Sequence, residues 1–446
     1  MADRLRTETV VTETLEFQPP RGLLEVADRL ERAGYEAWAV GGAIRDAVLG
    51  RPRADWDLAT NARPEEVRRV FRRTVPLGLE HGTVGVLVAD DTMYEVTTFR
   101  LDVETDGRHA VVEFAQDLDE DLARRDFTMN AIAWRPETNE MRDPYDGLAD
   151  LRAGVLKTVG EADRRFAEDY LRVLRGFRFA GAYSLEIEPD TRAAMEVAVP
   201  KLGRLSAERV REELLKVLSA PGASNALRMY GEFGALDGWY DEIADSPSDP
   251  RWEQHLASVD AISPDRSFLR VVQLLLTTTE RGETAPGRAE SLLGRLKFSN
   301  AEIRRGTHLV AHYLPFVHPA DGSASIREWL HSVGQEHARD LFRLHFASAR
   351  ASGSTESERA LVYTWRRVHD ELIGGVPLEL GQLAVDGTDL LELGLPRGPL
   401  IGLMLEELLA QVIESPERNE RESLLATARE LIELGGLDSL ESGLTE

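Results

Sequence analysis

Cysteine is absent from this sequence, which excludes disulfide bridges, thiolate zinc sites and a cysteine nucleophile. Long apolar runs are also missing, since no stretch approaches the roughly 18 consecutive apolar residues of a membrane span. Residues 1–18 are polar and of mixed charge, without the apolar segment of a signal peptide. We therefore expect a cytoplasmic protein that does not enter a membrane.

Positive charge is in short supply, because 53 Lys and Arg residues face 78 Asp and Glu residues, for a formal net charge of −25. So acidic a chain is not expected to coat nucleic acid or an anionic membrane through bulk charge. A nucleic-acid function would require a locally basic surface. The 446 residues, of which 42% are hydrophobic, indicate a globular protein of about three domains.

Strand and helix patterns divide the chain into a mixed part and a helical part. Strand-like runs separated by short helical patterns are predicted at 37–40, 55–60, 84–88 and 94–99. Beyond about residue 151 helices are predicted, the first over 161–182, 190–202 and 206–218. The sequence thus predicts an α+β head followed by an all-α remainder. The predicted boundaries are 1–20 for an N-terminal extension, 21–150 for the head, 151–220 for a first helical segment and 221–446 for the rest.

Two glycines, Gly41 and Gly42, follow the first strand and precede a helical pattern that contains Arg45. Glycine lets backbone N–H groups approach a phosphate closely, and a helix N-terminus favours an anion. Arg45 could add a bidentate phosphate contact. Taken alone, the pair fits a plain strand–turn–helix better than a phosphate site.

The segment Asp55-Trp56-Asp57 follows about ten residues later. Alternate side chains of a strand point to the same face, so both carboxylates are expected on one side and Trp56 on the other. Two carboxylates so placed suit Mg²⁺, which prefers oxygen ligands and could activate an attacking hydroxyl. Glu95, on a later strand, could add a third carboxylate or be an ordinary exposed acid.

Two further segments combine arginines with acids or amides. In the first, the adjacent arginines Arg124 and Arg125 are followed by Asp126 and Asn130, and this set could bind triphosphate and sugar. Asp126 and Asn130 would share a helix face. In the second, Asp169 and Arg172 form a pair that can hydrogen-bond base edges, because Asp accepts and Arg donates. Both patterns also fit helices with ordinary ion pairs. The remaining candidates of the second segment are Glu168, which reaches Arg172 at i+4, and the phosphate-binding candidates Arg175 and Arg178.

These motifs, in this order over residues 35–218, resemble the class II tRNA nucleotidyltransferase and bacterial poly(A) polymerase family. The segments that carry the resemblance are 41–46 with 55–57, 124–131, 168–179 and 208–216, with a weaker likeness at 383–402 to the family's RNA-holding C-terminal region. The resemblance implies a polymerase-β-like nucleotidyltransferase head, then a helical neck (151–220) and an all-α body and tail (221–446). It implies addition of C, C and A to the 3′ end of tRNA from CTP and ATP, without an obligate protein partner.

The resemblance also implies a role for each candidate residue. Asp55 and Asp57 would hold two Mg²⁺ ions, and Glu95 is the additional catalytic candidate. The triphosphate and ribose would be contacted by Gly42, Arg45 and Arg125, supported by Asp126 and Asn130. The Watson–Crick edge of CTP or ATP would be recognised by Asp169 and Arg172, with Glu168 orienting Arg172. Arg175 and Arg178 would complete the nucleotide site.

One segment departs from the family pattern. Residues 100–120 resemble the family's loop for switching from C to A addition, but Ala110 stands where the family usually has proline, and the loop is a little short. An enzyme that adds only CC or only A therefore stays open, as does a poly(A) polymerase. A catalytically silent RNA-binding protein of the same fold is the alternative from another class. The neck carries 13 basic and 11 acidic residues over 151–218, which makes it the best electrostatic candidate for tRNA phosphates.

Overall fold

The computed structural model describes residues 17–51, 56–78, 82–105, 110–115, 117–244, 246–276, 285–318 and 320–433. The chain divides into two compact units, Met1–Pro247 and Ser248–Glu446. Within the described residues, all strands belong to the first unit and the second is helical. The α+β head followed by an all-α remainder is thereby confirmed.

A seven-stranded sheet forms the centre of the first unit. The strands of this unit are β1 (Trp38–Val40), β2 (Asp57–Thr60), β3 (Thr74–Gly78), β4 (Thr83–Leu87), β5 (Met93–Thr98), β6 (Arg100–Thr105), β7 (Ala110–Phe114), β8 (Ala133–Arg135), β9 (Glu140–Arg142), β10 (Val155–Leu156) and β11 (Glu186–Ile187). The sheet order is β3-β4-β5-β2-β1-β8-β9, with β2 and β5 parallel and the other neighbours antiparallel. The pairs β6–β7 and β10–β11 form separate two-stranded sheets.

The two faces of the large sheet follow from the alternation of side chains along each strand. On β2, Leu58 joins one hydrophobic core and Ala59 joins the other. The first core also receives the apolar side of an N-terminal helix through Leu23, Val26 and Leu30. Asp57 shares its face with Ala59, so the candidate metal ligand lies on the side of the sheet away from that helix.

Ten helices of the first unit are described. They are α1 (Arg21–Arg32), α2 (Gly42–Val48), α3 (Pro64–Val70), α4 (Leu118–Ala123), α5 (Gly147–Ala153), α6 (Ala162–Glu168), α7 (Leu171–Tyr183), α8 (Pro189–Ala198), α9 (Ala207–Leu218) and α10 (Ala223–Glu232). The helix α9 confirms the prediction at 206–218, and Ser206 is its N-cap residue. The sequence did not predict β3, the strands β6 to β9, or the short parallel pair β10 and β11.

The prediction of one continuous helix over 161–182 is wrong. The chain breaks between α6 and α7 at Asp169, whose backbone is extended (φ −158°, ψ 107°). The Asp169 side chain accepts a hydrogen bond from the backbone N–H of Leu171 at 3.0 Å, and this local bond competes with helix continuation. Asp169 therefore precedes the helix that carries Arg172 and is not part of it.

Two smaller predictions also need correction. The helix predicted over 190–202 ends at Ala198 and continues as a 3-10 turn over Val199–Arg204, because Pro200 has no N–H to donate to the carbonyl four residues earlier and its ring clashes with that carbonyl. Asp126 and Asn130 do not share a helix face, since residues Thr128–Asn130 form a short 3-10 turn. Their side chains nevertheless meet, as described below.

The second unit consists of ten helices within its described residues. They are α11 (Trp252–Ala261), α12 (Ser267–Leu275), α13 (Ala285–Arg295), α14 (Asn300–Ala311), α15 (Ser323–Val333), α16 (Gln335–Ala351), α17 (Thr355–Ile373), α18 (Gly387–Glu392), α19 (Pro399–Glu414) and α20 (Arg421–Glu433). Its C-terminal part packs around Leu390, Met404 and Leu408. In the described part of the chain, no helix has the length and apolar character needed to cross a membrane.

Candidate active site

A cavity of about 600 Å³ opens in the first unit. Its walls come from the large sheet, the segment after α4 and the helix α7. Eleven of the predicted site residues line it, namely Gly42, Arg45, Asp57, Glu95, Arg125, Asp126, Asn130, Asp169, Arg172, Arg175 and Arg178. Glu168 is not part of the lining, and Asp55 lies outside the described residues. A single cavity thus collects side chains that are up to 136 positions apart in the sequence.

Two carboxylates lie on the sheet side of the cavity. Asp57 begins β2 and Glu95 lies on β5, and the parallel register pairs the next residues, Leu58 with Val96. Asp57 and Glu95 are therefore neighbours on one face, with hard oxygen donors of the kind that Mg²⁺ prefers. Trp56 packs into the core on the opposite face, as predicted. Among the residues that can be described, no group of three His, Cys, Asp or Glu side chains is placed to hold a metal ion.

The turn from β1 into α2 requires a glycine. Gly41 has φ +70° and ψ −125°, a conformation that side chains with a Cβ rarely adopt. A Cβ built there would lie 2.9 Å from Arg125 Nη1, so a larger residue would also displace that guanidinium. The turn brings the N-terminus of α2 to the cavity, and Arg45 in the next turn follows it there.

A chain of hydrogen bonds connects four of the predicted residues across the cavity wall. Arg45 Nη1 donates to Asn130 Oδ1 at 2.8 Å, and Asn130 Nδ2 donates to Asp126 Oδ1 at 2.9 Å. Arg175 Nε donates to Asp126 Oδ2 at 2.7 Å. The carboxylate of Asp126 thus receives bonds on both oxygens, and it fixes two arginines that come from different elements.

The ionisation of Asp126 follows from these contacts. Burial alone would raise the pKa of this carboxyl, but the charge of Arg175 and the hydrogen bonds from Asn130, Arg175 and the Phe127 N–H lower the pKa to about 2. Burial likewise opposes ionisation of Asp121, yet its neighbours Arg125 and Arg124 lower its pKa. Both acids are therefore anions that hold arginines in place.

The segment after α4 presents Arg125 to the cavity. Arg125 donates to Asp121 Oδ2 at 3.0 Å and to the backbone carbonyl of Asn130 at 3.0 Å. Arg124 donates to the other oxygen of Asp121 at 3.1 Å. One buried acid therefore anchors two consecutive arginines. Such preorganised cations suit the oxygens of a triphosphate.

Asp169 and Arg172 lie at the junction of α6 and α7 and line the same cavity. Arg172 Nη1 donates to Glu168 Oε2 at 2.6 Å, as the i, i+4 spacing predicted. Arg209 Nη2 donates to Asp169 Oδ2 at 2.6 Å. The acceptor and the donor needed for a base edge are thus both held by neighbouring side chains.

Sequence reasoning assigned no role to several residues of the site. Arg209 lines the cavity, and the buried Glu213 on α9 accepts a short hydrogen bond from Arg178. Arg209 and Glu213 fall in the 208–216 segment, so the motif was visible but its contacts were not. Tyr183 is a further such residue, with its ring 4.4 Å from the Arg45 guanidinium. Nothing in the spacing of Arg45 and Tyr183 indicates that they meet.

Family comparisons place this cavity in a known type of head. The model described as "Poly A polymerase head domain" matches residues 37–157. Residues 184–246 match "Probable RNA and SrmB-binding site of polymerase A", and residues 272–428 match "tRNA nucleotidyltransferase domain 2". The sheet, the acidic pair and the arginine-lined cavity thus define a nucleotidyltransferase, a class that uses divalent metal ions.

Similar proteins narrow the class. The CCA-adding enzyme of Levilactobacillus brevis is 35% identical over 419 residues, covering 92% of this chain and 97% of that protein. The CCA-adding enzyme of Geobacillus stearothermophilus is 32% identical over 430 residues, covering 92% and 96%. The crystal structure of the Bacillus stearothermophilus CCA-adding enzyme in complex with CTP is 31% identical, with a TM-score of 0.77 over 95% of this chain and 100% of that one. The chain belongs to the CCA-adding family of tRNA nucleotidyltransferases.

Proposed function

We propose that this cavity is the catalytic centre at which the chain adds C, C and A to the 3′ end of tRNA from CTP and ATP. The observation that carries the proposal is the convergence of three chemistries in one cavity: acidic oxygen donors, several arginines, and an Asp–Arg pair suited to a base edge. Curated relatives that carry the name CCA-adding enzyme favour this reaction over a partial adder or a poly(A) polymerase.

The reaction is an in-line displacement at the α-phosphate. The 3′-hydroxyl oxygen of the RNA forms a bond to the α-phosphorus, and the bond to the leaving pyrophosphate breaks. Asp57, with Asp55 outside the described residues, would hold Mg²⁺, and Glu95 adds an oxygen donor beside Asp57. Bound there, the ion would activate the hydroxyl and neutralise the charge that develops on the pyrophosphate.

The cationic wall of the cavity binds the triphosphate. The backbone at Gly42 and the guanidinium groups of Arg45 and Arg125 provide N–H donors at one end. Arg175 and Arg178 extend this wall along α7. Because buried or partly buried acids already orient these arginines, little reorganisation is needed when the nucleotide arrives.

Asp169 and Arg172 select the base. Cytosine and adenine both present an exocyclic amine next to an acceptor nitrogen, which matches a carboxylate beside a guanidinium. Uracil and guanine present a carbonyl and a ring N–H in the same places, so the carboxylate would face an acceptor, the guanidinium would face a donor, and both positions would stay unpaired. This arrangement needs no nucleic-acid template.

The neck supplies the most basic surface for tRNA, with the all-α body and tail completing the RNA-binding part. Phosphate contacts would be few, so we infer that the acceptor stem is recognised mainly through its shape. We keep the division into a head (21–150), a neck (151–220) and a body with tail (221–446) as the functional one. Because tRNA, CTP and ATP are its substrates, we place the enzyme in the cytoplasm.

The decisive experiment supplies tRNA that lacks its 3′ end with CTP alone, ATP alone or both, and sequences the products. Two added C residues with CTP alone, and a complete CCA with both nucleotides, are expected. Two C residues without a following A would identify a CC-adding enzyme. Long A tracts would instead identify a poly(A) polymerase.

The role of the acidic pair is tested with Asp57→Asn. The variant is expected to lose at least about 1,000-fold in incorporation rate, because the metal-binding charge is removed, while retaining tRNA binding. Asp28→Asn on α1 is the matched control, since this exposed acid is not part of the cavity lining and forms an ion pair with the exposed Arg32. Equal activity of the two variants would overturn the assignment, and lost tRNA binding with intact chemistry would favour a scaffold role.

A further inference from the structure

Arg165 lies on α6, outside the cavity, and uses all three of its guanidinium nitrogens. Nη1 donates to Glu168 Oε2 at 2.9 Å, Nε donates to the Val159 carbonyl at 3.0 Å and Nη2 donates to the Ala123 carbonyl at 2.7 Å. Its side chain is only 13% exposed. A single arginine therefore ties α6 to the end of α4, 42 positions earlier in the chain.

The carbonyls at the end of α4 are the reason that cations gather there. The last carbonyls of a helix have no partner within it and carry partial negative charge. Ala123 is the last residue of α4, and its carbonyl accepts from Arg165; the next carbonyl, of Arg124, accepts from Arg172 Nη2 at 3.1 Å. Both neck arginines thus complete the end of a helix in the head.

The same two arginines share one carboxylate. Glu168 Oε2 accepts from Arg165 at 2.9 Å and from Arg172 at 2.6 Å, and Arg172 also donates to the Arg165 carbonyl at 3.0 Å. The position of Arg172 therefore depends on Glu168 and on Arg165. Glu168, in turn, is held over the end of α4 by Arg165.

We infer that Arg165 is a positioning residue that sets the distance between base recognition and triphosphate binding. The α4 end that it holds leads directly into Arg125 of the triphosphate wall, and the carboxylate that it holds orients Arg172. A nucleotide contacts both at once, so the spacing between them decides whether its base and its α-phosphate are correctly placed together. The inference rests on the proposed function of the cavity.

Loss of Arg165 would affect correct and incorrect nucleotides unequally. Without it, two partly buried carbonyls lose a donor and Glu168 is released, so Arg172 is no longer fixed relative to Arg125. CTP and ATP then lose the advantage of fitting both groups at once, whereas UTP and GTP never had it. A misplacement of about 1 Å can reduce a rate about 100-fold. Selectivity should therefore fall together with the rate.

The test compares Arg165→Ala and Arg165→Lys with Arg164→Ala. Arg164 is the matched control because it is the adjacent arginine on α6 and faces the same carboxylate, but at 3.7 Å and with 81% of its side chain exposed. For each variant, kcat/KM is measured for CTP, ATP, UTP and GTP on the appropriate tRNA end, at a temperature well below its measured Tm. Lys keeps the positive charge but lacks the planar guanidinium whose three nitrogens donate to three different acceptors.

Arg165→Ala is expected to lower kcat/KM for CTP and ATP by about 10- to 100-fold, and to lower the CTP-over-UTP ratio by about tenfold. Arg165→Lys should lie between Ala and wild type, and Arg164→Ala should match wild type. A loss of equal size for all four nucleotides, with the ratio unchanged, would mean a purely structural role and would overturn the inference. If Arg165→Ala does not fold, the ratio measured for Arg165→Lys decides in the same way. A wild-type enzyme that did not incorporate CTP or ATP would instead overturn the proposed function.

Discussion

Asp126 shows how one buried residue organises the candidate site. Its two carboxylate oxygens hold Asn130 and Arg175, and through Asn130 they also fix Arg45. Removing one partner from such a network leaves buried groups unsatisfied, which costs more than the bond itself contributes. Asp126 is therefore a supporting residue whose loss would change the positions of Arg45 and Arg175 and lower the folding stability.

The depressed pKa of Asp126 predicts a pH-dependent contribution to stability. Because the pKa falls from its usual 3.8 to about 2 on folding, the stabilisation is fully present above about pH 4 and is lost as the pH falls towards 2. Asp126→Asn should therefore be destabilised by about 2 kcal/mol at pH 7, and the difference from wild type should shrink below pH 4. The difference in the free energy of unfolding is measured by urea unfolding of both proteins at pH 7, 5, 4 and 3.

The control for this prediction is Asp28→Asn, whose exposed carboxylate should contribute little at any pH. A difference between Asp126→Asn and wild type that stayed constant from pH 7 to pH 3 would show that the carboxylate charge is not its source.

Arg172 offers a second prediction about a single side chain. On the proposed assignment, Arg172→Ala removes the donor to the base acceptor but keeps Arg45, Arg125 and Arg175, the arginines proposed to bind the triphosphate. The CTP-over-UTP preference should fall by about 10- to 100-fold, the effect of one lost discriminating contact pair, and KM for CTP should change less. Competition assays with mixed nucleotides measure the preference. Arg192 is an exposed arginine on α8, and the control variant Arg192→Ala should show the wild-type preference. If Arg172→Ala kept the wild-type preference for CTP over UTP, base selection would have to lie with other residues.

At the level of elements, the residue pattern predicted β1, β2, β4 and β5 of the large sheet and the helical character of the neck, but it did not predict β3, β8 or β9. The runs at 84–88 and 94–99 correspond to β4 and β5, and the 206–218 helix to α9. The break at Asp169 was missed because the apolar pattern continues through it, while its cause is a side chain that binds the N–H of Leu171. A side chain that hydrogen-bonds a nearby backbone N–H can end a helix without changing the spacing of the apolar residues.

The contacts that join distant elements were beyond the reach of the sequence for a different reason. Motif spacing placed Asp169 and Arg172 in one site, because they are close in the chain. It gave no sign that Arg209 holds Asp169 or that Arg165 reaches the Ala123 carbonyl. Such pairs depend on how α6, α7 and α9 pack, and one sequence contains no direct record of that packing.

The charge of the whole molecule limits how it can hold RNA. The net charge is −25, and residues 391–446 carry 4 basic and 12 acidic residues, whereas 151–218 carry 13 and 11. An acidic C-terminal region repels phosphates at low salt, so electrostatic contacts are expected where the neck is basic. Binding should be modest and should weaken as the salt concentration rises.

Lys201 and Arg204 provide the test of this distribution. Both are exposed on the 3-10 turn Val199–Arg204 of the neck. If each neutralises one tRNA phosphate, Lys201→Gln with Arg204→Gln should weaken tRNA binding and reduce the slope of log K against log salt by about 1.4 to 1.8. The control pair is Arg397→Gln with Arg429→Gln, two exposed arginines of the acidic C-terminal region, whose slope should stay near that of wild type. Filter binding from 50 to 300 mM KCl (about a sixfold range) measures all three proteins. Equal changes in slope for both pairs would show that phosphates are not bound preferentially at the neck. Another basic surface would then have to bind the phosphates of the acceptor stem.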